Sequence, residues 1–390
     1  MRIALNSWFW NEPTTGSGQY TRRLAEHLAT IAPDLEIVLV APESRIPDPP
    51  SDLPRVAPIP NLRFQLTTSH RQLPAALGKV WFEQAVFPRT CRRLEADVAH
   101  VPYWAEPLYS SLPTVVTIHD LIPLLLREYR GGPLVRLYTV LVGQAAHSAA
   151  LALTDSESSR RDIVTHLGLP VERVRVVHLA AGESYAPAPA PADGEIRAHY
   201  GLPERYILYL GGFDARKNVV TVLRTYRWAG PVIGDECPLV IAGRLPERDT
   251  EFAPDPRCLA REQGLDEGNT RFIGFVDEAH KPALYRGAAA FIFPSRYEGF
   301  GLPALEALAC GTPVVGSNVS SLPEVVGDAG VLLPPDDAEG MAGALIQLAT
   351  DESFRAELSR RALAQAARFS WERTARETLA AYRDAMTGAV

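Results

Sequence analysis

Ala186 to Asp193 reads APAPAPAD, and Tyr206 to Gly212 reads YILYLGG. Proline at alternate positions removes backbone donors and fixes φ, so the first stretch can enter neither a helix nor a sheet ladder and predicts an extended linker. The apolar run after it, closed by two glycines, starts a second round of short strands alternating with helical patterns. The chain therefore reads as two α/β units. The expected boundaries are 1–185 for the first, 186–196 for the linker and 197–370 for the second. A terminal helix over 371–390 could cross back to the first unit.

Working outward from the linker, both halves carry the same alternation. Upstream, RIALNS, LEIVLVAP, ADVAHVPY, PTVVTIHD and VRVVHLAAG are short apolar runs, with SGQYTRRLAEHLATIA and SESSRRDIVTHLG reading as helices between them. Downstream, PLVIAG, TRFIGFV, AAFIFPS and TPVVGS continue the series begun by YILYLGG. Near-continuous apolar strands separated by helices mark a parallel sheet covered on both faces. The predicted fold is two Rossmann-like doubly wound domains facing each other across a cleft. In such sheets ligands bind beyond the carboxyl ends of the strands, so the residues following each run are the candidates.

Bulk composition narrows the classes. The 390 residues are 46% hydrophobic and 22% charged, with a net charge of −7. That composition is globular, and the acidic balance argues against a general affinity for nucleic acid. Cys91, Cys237, Cys258 and Cys310 are scattered, which predicts reduced thiols rather than a disulfide framework or a zinc site. No apolar run approaches the ~20 residues of a transmembrane helix. The opening MRIALNSWFW is too short and too polar-flanked for a signal peptide, so a cytoplasmic protein is expected.

Four stretches can carry chemistry. TTGSGQY, Thr14 to Tyr20, places Gly16 and Gly18 between the first strand and a helix, where backbone can approach an anion or a polar oxygen. Thr21 stands where a dinucleotide pattern would have its third glycine, and a plain strand–helix turn is the competing reading. In TIHDLIP, His119 and Asp120 end a strand; the imidazole could hold a substrate hydroxyl or share a proton, and Asp120 could equally cap a turn. In LGGFDARKNV, Gly211 and Gly212 precede Arg216 and Lys217 at a helix start, which suits a diphosphate. Gly243, ending PLVIAG, is a further possible contact. No Asp-x-Asp occurs in the sequence, so a departing diphosphate would have to be stabilised by protein charges and amides.

The fourth stretch is FIFPSRYEGFGLPALEAL. Pro303 fits the first turn of a helix, leaving the amides around Phe300, Gly301 and Leu302 free to face an anion. Glu298 lies in the loop before that helix and Glu306 about one turn inside it. Carboxylates beside a phosphate site suit neutral donors, the hydroxyls of sugars.

Taken together, Gly-x-Gly near the start, His119-Asp120, Arg216-Lys217-Asn218, Gly274-Phe275-Val276, and Glu298 with Glu306 resemble the retaining glycosyltransferases of family 4, which have the GT-B fold. The resemblance spans nearly the whole chain. It implies that Arg216, Lys217 and the amides of Gly299 to Leu302 contact a donor diphosphate, with Gly212 close by. It further implies that Glu306 binds the ribose hydroxyls and Glu298 the transferred sugar near its 3-hydroxyl. Phe275 and Val276 would meet the base, Gly16 and Gly18 would approach the donor from the first unit, and His119 would contact the sugar's 6-hydroxyl or position the reacting centre.

VVTIHDLIPLLLREY is similar to bacterial enzymes of surface-polysaccharide or O-antigen assembly, many of them mannosyltransferases. The implied activity is transfer of a hexose, mannose from GDP-mannose first, to a saccharide or lipid-linked saccharide acceptor, without metal or other cofactor. A UDP-sugar-dependent transferase of the same fold and a nucleotide-sugar epimerase are the alternatives. The stretches Asn61 to Arg93 and Pro123 to Tyr138 carry no motif. They mix Arg71, Lys79, Arg89, Arg92 and Arg93 with Trp81, Phe82 and Phe87, which fits either a surface for an anionic membrane at its inner face or an ordinary amphipathic helix.

Overall fold

The computed structural model describes residues 1–13, 15–46, 59–68, 74–265 and 268–388. It divides into two compact units. One joins Met1–Leu179 to Ser370–Val390, and the other is Ala180–Phe369.

The first unit is built on a parallel sheet of seven strands among the described residues. They are β1 (Arg2–Asn6), β2 (Glu36–Pro42), β3 (Leu62–Thr67), β4 (Val98–Val101), β5 (Thr114–Thr117), β6 (Leu151–Thr154) and β7 (Val174–Val176), in the order 3-2-1-4-5-6-7. Ile3 sits opposite Ile37 on one side and Val98 on the other. All three are fully buried, as the apolar character of these runs requires, and each such side chain contributes about 1.5–3 kcal/mol. The helix Gly16–Ile31 starts at Thr15, whose Oγ1 accepts from the Gly18 amide at 3.1 Å. It buries Tyr20, Leu24 and Leu28, spaced one turn apart.

The terminal helix Trp371–Thr387 belongs to this first unit and packs against Gly16–Ile31. Ser370 caps it, accepting from the Arg373 amide at 3.2 Å. Trp371 stacks over His27 with ring centroids 6.2 Å apart, and Thr374 Oγ1 donates to the His178 carbonyl at 2.6 Å. Deeper in, the Tyr382 hydroxyl lies 2.7 Å from His100 Nδ1.

The second unit has strands β8 (Tyr206–Leu210), β9 (Leu239–Ala242), β10 (Thr270–Gly274), β11 (Ala288–Phe293), β12 (Val314–Ser317) and β13 (Gly330–Leu333), ordered 10-9-8-11-12-13 and all parallel. Alternate residues of β8 serve opposite layers. Ile207 and Tyr209 join the core under the helices Val219–Ile233 and Ala338–Thr350, while Tyr206, Leu208 and Leu210 join the core under Leu302–Ala309. The strand order reverses between β8 and β11, so the loops after these two strands diverge and leave a crevice at the carboxyl edge.

The proline-rich segment lies within the second unit, and the division falls earlier, between Leu179 and Ala180. Arg286 accounts for this. It donates to the Ala186 carbonyl at 3.1 Å and to both carboxylate oxygens of Asp193 at 2.5 and 2.7 Å, which fastens the segment to the unit that follows it.

Candidate active site

The loops that diverge after β8 and β11 carry the charged residues singled out from the sequence. After β8, a short 3-10 turn, Ala215–Lys217, ends at Asn218, which adopts φ 57°. Asn218 Nδ2 donates to the carbonyls of Pro294 at 3.1 Å and Pro335 at 2.8 Å, locking the turn onto the loop after β11. Arg216 and Lys217 are thereby aimed at that loop. Arg216 Nη1 donates to Glu298 Oε2 at 2.7 Å and to the Tyr297 carbonyl at 3.0 Å, and Lys217 Nζ donates to Glu298 Oε1 at 2.7 Å. Lys217 Nζ also lies 5.0 Å from the Phe293 ring centroid.

Glu298 is buried rather than solvated. Burial alone would push its carboxyl up, but Lys217 and Arg216 outweigh that and hold it below the usual carboxylate range. Two serines that the sequence did not flag fix its backbone. The Glu298 amide donates to Ser320 Oγ at 2.9 Å, and Ser321 Oγ donates to the carbonyls of Glu298 and Phe300 at 2.9 and 2.7 Å. The expected flanking arrangement is thus refined: Glu298 is the counter-ion of the two cations.

The helix Leu302–Ala309 begins where Pro303 predicted, with Gly301 before it at φ 101°. A side chain there would be strained in that backbone conformation and would meet Leu322 Cδ2 at 2.8 Å, so glycine is required. Gly299 sits in the loop, and Phe300 is buried against Phe369 with ring centroids 5.8 Å apart. Glu306 is buried one turn inside the helix, where the Tyr285 hydroxyl donates to Oε2 at 3.1 Å. Burial pushes its carboxyl up to about 7, with Lys281 opposing and Glu278 reinforcing the shift. Glu298 and Glu306, so alike in sequence, are held in opposite electrostatic settings.

The remaining second-unit candidates line the same edge. Gly212 follows β8, and its carbonyl accepts from the Tyr209 hydroxyl at 2.5 Å. Gly243 follows β9, and a side chain there is excluded because a Cβ would lie 2.1 Å from the Gly211 carbonyl oxygen. Phe275, half exposed, follows β10 with the Arg244 guanidinium 5.3 Å from its ring centroid, while Val276 is buried.

In the first unit, His119 lies two residues past β5. Its Nδ1 is 2.7 Å from Asp155 Oδ2 and its Nε2 is 3.3 Å from the Pro102 carbonyl. Both partners are acceptors, which favours the doubly protonated ring. Burial opposes the charge, but Asp155, Asp120 and the Pro102 carbonyl outweigh it and raise the pKa above the ordinary imidazole value. These partners favour the imidazolium over the neutral ring. Asp120 Oδ1 accepts from the Ile122 amide at 2.9 Å, acting as a turn cap. Gly18 faces inward: a Cβ would lie 2.1 Å from the Glu12 carbonyl oxygen, so this glycine lets the preceding loop close over the helix, whereas Gly16 looks into open space.

The acceptor-side group divides by exposure. Arg71 lies outside the described residues. Phe82 and Phe87 are core residues, and Lys79 turns inward, with Nζ 2.6 Å from the buried Glu83 Oε1 and 2.9 Å from the Tyr138 hydroxyl. Trp81 is exposed, with Arg89 stacked 5.8 Å from its ring centroid, and Arg92 and Arg93 are exposed nearby in sequence. Among the described residues, no group of three or more His, Cys, Asp or Glu is placed to hold a metal ion. Among the same residues, no helix is long and apolar enough to cross a membrane.

Residues 194–365 match the glycosyl transferases group 1 family, and residues 15–180 match the glycosyl transferase 4-like domain. The O-antigen chain mannosyltransferase B of Escherichia coli is 32% identical over 380 residues, covering 95% of this chain and 96% of that protein. The chain belongs to this glycosyltransferase family. The transferase also shares its fold with solved structures at low identity. Sucrose-phosphate synthase from Thermosynechococcus elongatus superposes with a TM-score of 0.75 at 20% identity over all of both chains. Anabaena Alr3699/HepE in complex with UDP-glucose gives 0.70 at 17% identity, covering 98% of this chain and 100% of the other. The enzyme is thus a glycosyltransferase with the two doubly wound units of the GT-B class.

Proposed function

We propose that the enzyme transfers mannose from GDP-mannose to an acceptor hydroxyl, with retention of the anomeric configuration, in the assembly of a bacterial polysaccharide or glycolipid. The observation that carries the site assignment is the convergence of Arg216 and Lys217 on Glu298, where the strand order of the second unit reverses. The choice of mannose is supported by the name of the Escherichia coli relative. A UDP-hexose donor is the second reading, supported by the UDP-glucose complex of the Anabaena neighbour.

In this reading the diphosphate meets Arg216, Lys217 and the amides of Gly299 to Leu302, Glu306 takes the ribose hydroxyls, and Glu298 takes a hydroxyl of the transferred sugar. The bond between the anomeric carbon and the phosphate oxygen breaks, and its electron pair leaves on the diphosphate, whose growing charge the two cations stabilise. The acceptor oxygen bonds to the anomeric carbon on the same face. Its proton passes to the departing phosphate oxygen, so no protein nucleophile is needed. His119, as an imidazolium, is the first unit's contribution, orienting a sugar hydroxyl by donation. Because protein cations meet the diphosphate charge, turnover should survive chelation of divalent metal.

The acceptor is expected to be a saccharide or a lipid-linked saccharide. The helix Pro133–Ala145 supports contact with a bilayer surface: Leu134, Leu137 and Val140 are 82%, 67% and 61% exposed. Thermal shifts with GDP, UDP, ADP and their sugars test the donor, since the ligand that binds the folded state most tightly raises its stability most. Stabilisation by UDP-sugars alone would replace mannose from GDP-mannose with the second reading.

A further inference from the structure

A groove of ≈ 860 Å³ runs along the outer surface of the second unit, between the helices Val219–Ile233 and Ala338–Thr350. One wall is a stripe of Arg224, Arg227, Trp228 and Pro231, which the spacing of three, four and seven places on a single helix face. The other wall is Asp336, Asp337 and Glu339 at the start of the facing helix. Trp228 is 57% exposed. More than half of this side chain is open to solvent, and it lines the groove, so the indole is available to a ligand. Arg224, Arg227, Gln263 and Glu339 line the groove and carry no side-chain hydrogen bond or ion pair among the described residues.

We infer that this groove is a second saccharide-binding site, separate from the donor loops. The chemistry of the lining selects the ligand class. Asp336 is paired with Arg296, and Asp337 and Glu339 balance Arg224 and Arg227, so the lining carries no net positive charge to draw a nucleotide or any other polyanion. The fully charged second wall disfavours a lipid chain. A neutral sugar suits both walls: its C–H face lies on the indole, carboxylates accept from its hydroxyls, and guanidinium and amide groups donate to its oxygens. The groove adjoins the catalytic loops without overlapping them. Asp336 Oδ1 accepts from Arg296 Nη2 at 2.6 Å, and the Arg296 amide donates to the Arg216 carbonyl at 2.8 Å. A glycosyltransferase with such a groove can keep hold of an acceptor chain at a point remote from the reacting hydroxyl. This inference rests on the chain acting on saccharides and not on which donor it uses.

The test is saturation-transfer NMR on the full-length protein with a mannose tetrasaccharide and a glucose tetrasaccharide, with GDP and UDP both present at saturation. Binding that persists under the nucleotides, and weakens about tenfold or more in Trp228→Ala, supports the site. Arg227→Ala should weaken it in the same direction. The KM for a long saccharide acceptor should rise in Trp228→Ala with kcat unchanged, while a short acceptor should show no change. Because Trp228 is exposed, the variant should keep its melting temperature. Four results would overturn the inference: no binding of either tetrasaccharide, binding lost when nucleotide saturates, undiminished binding by Trp228→Ala, or a drop in sedimenting mass in that variant, which would make the groove a self-association face. Binding of the glucose probe alone would keep the groove while removing mannose from it, and the donor panel judges the donor reading separately.

Discussion

Lys217 Nζ and Glu298 Oε1 lie 2.7 Å apart although 81 positions separate them in the chain. The charge proposed to grip a diphosphate is answered by a buried carboxylate. A nucleotide must therefore compete with Glu298 for the same two cations. Glu298→Gln keeps the shape and removes the competing charge, so we expect GDP or UDP to bind about tenfold more tightly while transfer slows. Titration calorimetry beside steady-state rates separates the two effects; unchanged nucleotide affinity would remove Glu298 as a counter-ion of the clamp. Alanine is a poorer probe, because stripping one partner from a buried ion pair costs about 3–5 kcal/mol.

Lys217→Ala leaves Arg216 to hold Glu298 and should lower kcat by about 10²–10³-fold, the range for loss of one charge stabiliser in a reacting centre. The variant should also melt below the parent temperature, because it strips one partner from that buried pair, so rates are compared where both proteins are folded. Near-normal turnover would move the diphosphate elsewhere.

Glu306 carries a pH signature. Its folded pKa of about 7 exceeds the unfolded value of 4.5. The folded state therefore holds the proton more tightly, and the associated stability is complete below the unfolded pKa and fades as pH rises through about 7. The pKa difference corresponds to about 3 kcal/mol across that window. Denaturant melts between pH 4.5 and 7 should slope less steeply in Glu306→Gln, and the pH dependence of donor KM near neutrality should flatten in the same variant.

His119 has the same sign for a different reason. Its raised pKa means that the imidazolium and its ion pair with Asp155 are intact below the ordinary imidazole value and fade as pH rises through the folded pKa. Asp155→Asn should shift the alkaline limb of the kcat profile to lower pH. An unmoved limb would mean that His119 does not titrate in turnover.

Vesicles test the exposed helix. Leu134→Ser together with Leu137→Ser should reduce co-sedimentation with anionic phospholipid vesicles several-fold, and leave transfer to a soluble acceptor unchanged. Equal co-sedimentation would assign membrane contact to other residues or to none.

The fold was legible from the strands buried on both faces, because β1, β2, β8 and β11 are almost purely apolar. The strands β3 and β13 were not: both close an edge of their sheet, where every residue stays at least partly exposed, β3 mixes polar with apolar residues and β13 is only four residues long. In the site, Arg216, Lys217, Glu298 and Glu306 were recognisable by type and place. Their pairing was not, because nothing local tells Glu298 that Arg216 will arrive from another loop. Ser320 and Ser321 are anonymous in sequence for the same reason. Asp155 could have been found, since it follows β6 directly at the edge where ligands bind. His100 shows the converse. It is fully buried between Tyr382 and Thr117, with its pKa pushed down to about 3 by burial, and only the return of the terminal helix explains it.

That return also orders events in time. The second unit is one unbroken stretch of chain, whereas the first is interrupted by it and lacks a helix until residues 371–387 are made. During synthesis the later-encoded unit can finish folding before the earlier one does, reversing the usual amino-to-carboxyl sequence. Until Trp371 and Tyr382 emerge, Tyr20 and His100 have no lid, and a nascent chain stalled just before residue 371 would hold a complete second unit and an unfinished first.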